Sequence, residues 1–293
     1  MSEAWTIRRV LAWTAPHFEK HAVDSPRLTA EVLLAHVLKV DRVRLYIDLD
    51  RPLAKEELAA FRALIARRAA GEPAQYLTGV KEFYNRPFQV DPRVLIPRPE
   101  TELLVELVLR ELPKDAPVRV LDLCCGSGCI AVTVAAEREK ASVWATDVSS
   151  DACAVARGNS EANGTGARVT VLEGDLFGAV PAGARFDAVV SNPPYIASAV
   201  VPTLSREVLK EPRLALDGGP DGLAFVRRIA TGARAFLKPG GLLALEISEG
   251  QGGQVKGLLM DAGYEQVRIE ADLARLDRLA FGRQPAAEQP REA

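Results

Sequence analysis

Asn192, Pro193, Pro194 and Tyr195 stand in a row just after the apolar run Phe186 to Val190 and Ser191. The run reads as a buried strand. The Asn192 carboxamide therefore arrives at the C-terminal edge of a sheet, where open α/β sheets bind ligands. Each proline holds its own φ near about −65°, lacks an N–H and pushes the preceding residue towards extended geometry. The turn thus offers free carbonyls, one carboxamide and one aromatic ring, already placed. Such a group accepts two hydrogen bonds from a planar –NH2 and covers its face, which suits an amide or an exocyclic amine. On these four residues alone, a proline-rich exit from a strand is the plain alternative.

A second constellation runs Asp122-Leu123-Cys124-Cys125-Gly126-Ser127-Gly128. It follows one predicted strand and opens a predicted helix. In that context a glycine loop brings backbone close to a nucleotide-like ligand and sets a helix N-terminus behind it. Asp147 closes the next strand, where a carboxylate can take both hydroxyls of a ribose. NAD, FAD and S-adenosylmethionine sites share this geometry. Two details point away from NAD: the spacing is Asp-x-x-x-Gly-x-Gly, and the first strand itself carries an acid. Asp122 can hold an ammonium group, such as the amino end of a methionine moiety. Asp175, closing the third strand, stands where an adenine amino group can be read; a turn or cap residue is the alternative.

The scaffold for these groups follows from the alternation of patterns after Val118. Strands are expected at Val118–Leu123, Ser142–Thr146, Val169–Leu172, Phe186–Val190 and Leu242–Ile247, with two more over 264–270 and 278–283. Helices are expected after Gly128 to about Glu137, after Ser149 or Ser150, over Asp221–Leu237 and over Gly253–Ala262. The fold class is α/β: a mostly parallel, Rossmann-like sheet with helices on both faces. Gly250-Gln251-Gly252-Gly253-Gln254 reads as a loop and helix start.

Upstream, the chain is helical in pattern. Ser25-Pro26 reads as a helix start with Ser as N-cap, and Leu53 to Ala70 as an amphipathic helix ended by Gly71-Glu72-Pro73. Phe83, Tyr84, Phe88 and Val90 among Asn85, Pro87 and Pro92 read as a β-hairpin, and Pro97 to Thr101 opens a helix to about Leu112. The expected organisation is a helical, substrate-docking domain over 1–75, a hairpin linker over 76–99, the sheet domain over 100–284 and a disordered polar tail over 285–293.

Bulk numbers narrow the classes. The 293 residues suggest two domains, and 48% hydrophobic with 26% charged residues is ordinary for a globular protein. No apolar run reaches the roughly 18 residues of a membrane helix, and the N-terminus lacks a signal-peptide pattern. A cytoplasmic location with no membrane partner is expected. A net charge of −2 gives no global basic footprint for nucleic acid. Cys124, Cys125, Cys129 and Cys153 form no C-x2-C pair and the histidines lie far upstream, so no metal is expected and the thiols read as packing residues.

Taken together, Asn192-Pro193-Pro194-Tyr195 after the fourth strand, the Asp122 loop and Asp147 resemble the S-adenosylmethionine-dependent amino-methyltransferases. Arg67-Arg68-x-x-Gly71-Glu72-Pro73-x-x-Tyr76-Leu77-x-Gly79, Glu82-Phe83, Leu95-Ile96-Pro97-Arg98-Pro99-Glu100-Thr101-Glu102 and Asp277-Arg278 with Gly282-Arg283 narrow this further. They resemble the peptide chain release factor glutamine methyltransferases, the HemK/PrmC family, from about residue 25 to 283. Cys124 departs from the glycine usual there. The resemblance implies methyl transfer from S-adenosylmethionine, leaving S-adenosylhomocysteine, to the glutamine N5 of the Gly-Gly-Gln loop of class I release factors. It implies a cofactor site of Asp122, Cys124, Cys125, Gly126, Ser127, Gly128, Asp147, Asp175, Leu176 and Asn192. Leu176 would line the adenine pocket. Asn192, Pro193 and Tyr195 would be catalytic, and with Pro194 they would bind the amide. A monomer with no direct nucleic-acid partner is expected. A ribosomal-protein glutamine methyltransferase is the near alternative. A DNA or RNA amino-methyltransferase is more distant, since it would need a basic groove and base-stacking aromatics beyond Tyr195.

Overall fold

The computed structural model describes residues 4–286. In chain order the elements are α1 (Ile7–Lys20), α2 (Pro26–Leu38), α3 (Arg42–Ile47), α4 (Lys55–Ala69), α5 (Ala74–Thr78), β1 (Val80–Phe83), β2 (Arg86–Gln89), α6 (Thr101–Glu111), β3 (Val118–Leu123) and α7 (Cys129–Glu137). Then come β4 (Ala141–Asp147), α8 (Ser150–Ala162), β5 (Val169–Glu173), β6 (Phe186–Ser191), α9 (Ala224–Ala233), β7 (Leu237–Glu246), α10 (Gly252–Asp261), β8 (Glu265–Ala271) and β9 (Asp277–Arg283). Short 3-10 turns punctuate the long connection between β6 and α9. Among the described residues no helix is long and apolar enough to cross a membrane.

The chain divides into two compact units. One runs through Val80 and includes Ser205–Lys210. Its core is Leu11, Phe18, Leu33, Leu34, Leu45 and Phe61, the inward faces of α1 to α4. Ser25 precedes α2 but takes φ 46 and makes no side-chain cap bond. A left-handed backbone does not aim a hydroxyl at the first-turn N–H groups, as an extended cap residue does. Arg68, buried, pairs with Glu207 and so holds the returning segment within this unit.

The second unit holds Lys81–Leu204 and the chain from Glu211 onward. Its hairpin turns on Tyr84 and Asn85, at φ 50 and 57, the two positive values that a two-residue turn needs to match strand twist. Glu102 Oε1 accepts the Tyr84 N–H at 2.9 Å, anchoring the hairpin to α6. The seven-stranded sheet runs β5-β4-β3-β6-β7-β9-β8. The pairs from β5 to β7 are parallel, while β7–β9 and β8–β9 are antiparallel. Val120, Val143, Ala188 and Ala244 pack under α6 and α7 on one face; Leu121, Val189, Leu243 and Leu245 pack with Val226, Ile229 and Val255 of α9 and α10 on the other. Burial on both faces explains why these strands read as near-continuous apolar runs.

One expected boundary shifts. The helix expected over Asp221–Leu237 is only Ala224–Ala233. Asp221 stands outside it, accepting the Leu223 N–H at 3.1 Å and pairing with Arg227. Leu237 already belongs to β7: Phe186 faces Leu237, but Ala188 faces Leu242, so Lys238 to Gly241 bulge out of register.

Candidate active site

Strand order reverses at β3, which has β4 on one side and β6 on the other. At such a switch point a crevice opens beyond the carboxyl ends of the strands. The Ser191 hydroxyl donates to the Leu123 carbonyl at 2.7 Å and ties the two strand ends together. The glycine loop leaves from one end and the Asn192 turn from the other.

Cys124, Gly126 and Gly128 all have positive φ, 58, 51 and 78. A Cβ on Gly128 would lie 3.0 Å from that of Ala156, so α7 approaches α8 through a glycine. A Cβ on Gly126 would meet nothing; its N–H donates to Asp147 Oδ2 at 2.9 Å, and Asp147 Oδ1 takes the Ser149 N–H at 3.0 Å. Ser149 also caps α8 by accepting the Ala152 N–H. Cys124 occupies a left-handed position, which accounts physically for the glycine that the resemblance puts there.

Asp122 is fully buried beneath this loop. Its Oδ2 accepts the Ala131 N–H at 3.1 Å, and Oδ1 has no hydrogen-bond partner among the described residues. Burial drives its carboxyl well above the usual range and Asp147 adds to this, against the Ala131 N–H. Cys125, Cys129 and Cys153 are buried free thiols. Burial pushes the Cys129 thiol up to about 12, so it packs as a neutral group.

The cavity over the strand ends is walled by Cys124, Cys125, Gly126, Ser127, Asp147, Asp175, Leu176, Asn192 and Pro194. Asp122, Gly128, Pro193 and Tyr195 are not among its lining residues. Leu176, at φ 52, is buried, and its carbonyl accepts the Thr146 hydroxyl at 2.9 Å. The Asp175 carboxylate is more than half exposed and pairs with Arg228 at 2.6 Å. Arg98, Thr101, Pro212 and Leu214 also line the cavity. Buried Glu211 clasps that side, accepting the Ile96 N–H at 3.0 Å and pairing with Arg98.

Asn192 is half-buried, and its Nδ2 donates to Thr101 Oγ1 at 3.1 Å. Glu246 is 1% exposed. It receives the Thr101 hydroxyl at 2.7 Å and the Tyr195 hydroxyl at 3.3 Å. Burial and the facing carboxylate raise the Tyr195 phenol, which stays protonated. The Tyr195 carbonyl accepts from Gln251 Nε2 at 3.1 Å, so the turn is held at both ends of its last residue. Glu211 and Gln251 carry no sequence signal for these roles, because their partners lie 115 and 56 residues away in sequence.

These groups fit a cationic, hydroxyl-bearing nucleoside. Asp122 keeps a buried acceptor without a partner, and a positive charge nearby would favour its ionised form. Asp147 is fixed by backbone N–H groups while still on the cavity wall. Residues 101–220 match the methyltransferase small domain family. The solved structure of the T. thermophilus 16S rRNA N2 G1207 methyltransferase, in complex with AdoMet and guanosine, superposes with a TM-score of 0.53 at 20% identity, over 70% of this chain and 49% of that one. That likeness gives the fold, a Rossmann-like sheet, and the matched residues 101–220 give a methyltransferase domain upon it.

Residues 9–79 match the PrmC N-terminal domain family. The release factor glutamine methyltransferase of Geobacter sulfurreducens is 47% identical over 283 residues, 96% of this chain and 98% of that one. That of Moorella thermoacetica is 45% identical over 282 residues, 95% and 99% of the two chains. The chain belongs to the release factor glutamine methyltransferase family.

Proposed function

We propose that this enzyme methylates the side-chain amide nitrogen, N5, of the glutamine in the Gly-Gly-Gln motif of class I release factors, with Asn192 and Pro193 as acceptors for that amide. The observation that carries the reading is the Asn192–Thr101 bond. With Nδ2 engaged, the carboxamide has its oxygen left to offer a substrate N–H.

An amide nitrogen is a poor nucleophile, because its lone pair is delocalised into the carbonyl. Bound S-adenosylmethionine would supply a methyl group activated by a sulfonium, its S–CH3 bond breaking as the N–CH3 bond forms and leaving neutral S-adenosylhomocysteine. The chain's own part is to hold and polarise the nitrogen. Asn192 Oδ1 and the Pro193 carbonyl accept its two N–H bonds, fix its direction and favour positive charge on it as the new N–C bond forms. The methylated amide cation then sheds its proton to solvent without a strong base. Tyr195 packs beside the amide with its hydroxyl anchored on Glu246. Asp147 would take the ribose hydroxyls, Asp122 the amino end of the methionine moiety, and the backbone of Cys124 to Gly128 would approach the cofactor. Leu176 lines the adenine. Asp175 would read the adenine amino group, giving up its Arg228 partner to do so. In this reading the enzyme acts as a cytoplasmic monomer, the helical domain docks the substrate, and no nucleic acid takes part.

The test is methyl transfer from labelled S-adenosylmethionine by wild type and Asn192→Ala. The acceptors are a class I release factor, its Gly-Gly-Gln Gln→Ala variant, and duplex and single-stranded nucleic acid. Label is expected only on the factor, dependent on both its glutamine and Asn192. Label on nucleic acid alone would overturn the reading.

A further inference from the structure

Three segments meet in one chain of hydrogen bonds behind the Asn192 turn. Thr101 is the first residue of α6, Glu246 the last of β7, and Asn192 and Tyr195 follow β6. Thr101 and Glu246 are each 1% exposed, so bulk water does not readily replace their partners. An ionised carboxylate only accepts hydrogen bonds, so both hydroxyls facing Glu246 must donate to it. Thr101 has one hydroxyl hydrogen, and Glu246 Oε2 takes it at 2.7 Å. Thr101 Oγ1 can then only accept from Asn192. A flipped carboxamide would set oxygen against oxygen.

We infer that Thr101 and Glu246 are positioning residues that fix which end of the Asn192 carboxamide faces the substrate. This rests on the reading of Asn192 as the acceptor for the substrate amide. The carboxylate sets the sense of the chain, Thr101 passes it on, and Asn192 Oδ1 is the end presented. Tyr195 closes the other branch on Glu246 Oε1.

Protonation of Glu246 reverses this logic. A proton on Oε2 donates to Thr101, whose own hydrogen is then released towards Asn192. Burial, with a smaller push from Glu100, raises the Glu246 carboxyl to about 7 against Thr101, Arg278 and Tyr195, which lower it. Cys129 of α7 also senses this charge, and Arg98 acts on Tyr195. The ordered sense therefore belongs to the upper side of neutral pH.

The experiment compares Thr101→Val, Thr101→Ser and Glu246→Gln with wild type. It measures kcat and KM for a class I release factor, S-adenosylhomocysteine affinity by calorimetry, and the melting temperature. Thr101→Val keeps the shape without the hydroxyl and should lower kcat about 10- to 100-fold. Its KM and cofactor-product affinity should stay within about twofold, and Thr101→Ser should recover kcat to within about threefold of wild type. Wild-type kcat should fall below about pH 7, and Thr101→Val should lack that limb. Should Thr101→Val fail to hold its fold, Glu246→Gln is the second measure, with the same drop in kcat and the same missing limb. Thr101→Val with kcat within about twofold of wild type, or a folded Thr101→Ser as slow as Thr101→Val, would falsify the inference. Wild type that leaves the factor unlabelled removes the functional reading itself, and this shows before any variant is compared.

Discussion

Asp147 and Gly126 are joined by a 2.9 Å hydrogen bond from the glycine N–H to the carboxylate, which ties the end of β4 to the loop that follows β3. The Ser149 N–H takes the other oxygen. Both bonds lower the Asp147 carboxyl, but burial outweighs them and raises it. Asp147→Asn keeps the shape and turns one acceptor into a donor. Its affinity for S-adenosylhomocysteine should fall about 10- to 100-fold, with one or two hydrogen bonds to a buried polar ligand lost. Calorimetry with the purified variant measures it, and an unchanged affinity would move the ribose contact elsewhere.

Glu246 links pH to stability. Its folded-state value of about 7 lies above the usual 4.5, mainly through burial. Between those values the native state holds a proton that the unfolded chain has released, so stability falls as pH rises through the window. Asp122 and Asp147 are raised as well, and they shift the wild-type curve in the same direction. The contrast with Glu246→Gln isolates the single group. Urea titrations at pH 5 and pH 8 should show wild type gaining on the glutamine variant at the lower pH.

Glu211 holds the far wall. Replacing it by alanine leaves the Ile96 N–H without its acceptor and Arg98 without its carboxylate. The cost should approach about 3–5 kcal/mol, the range for breaking a buried pair by removing one partner. A shift in urea midpoint at constant slope is the measurement. Glu211→Gln, which can still accept from Ile96, should recover part of it.

Cys124 sits at φ 58, where a Cβ is unfavourable. Cys124→Gly removes that penalty, set against the greater freedom of glycine in the unfolded chain and the loss of a half-buried thiol. The net gain should be about 0.5–1 kcal/mol by denaturant titration. A loss of stability would mean that the thiol's packing outweighs the backbone term.

Much of this arrangement was legible in the sequence, for identifiable reasons. β3, β4, β6 and β7 are buried on both faces, so apolar runs mark them, and each chemical group sits at a strand end where the run stops. Asn192 and Asp147 could be placed because position along a parallel strand is position relative to the crevice. The helix drawn to Leu237 overran because its apolar spacing continues into the out-of-register start of β7. Glu246, at the end of β7, has the residue type of a solvated strand-end acid. Nothing local announces that α6 and the Asn192 turn close over it. Ser25 likewise has the residue type of a cap but a left-handed backbone, which residue type does not report. Asp175 stands just beyond a strand end as its residue type suggests, and its carboxylate has a partner in Arg228, 53 residues on.

The bond between Thr101 and Glu246 spans 145 residues. On a ribosome the glycine loop, Asp147 and the Asn192 turn all emerge before Glu246 does. A nascent chain can therefore form the glycine loop before the Thr101–Glu246 bond behind Asn192 exists. β7 pairs on one side with β6 and on the other with β9, so the strand that delivers Glu246 is completed by nearly the last residues of the fold. The glycine loop is thus an early, local product of the chain, whereas the carboxylate behind the Asn192 turn arrives only with β7 and its partner β9.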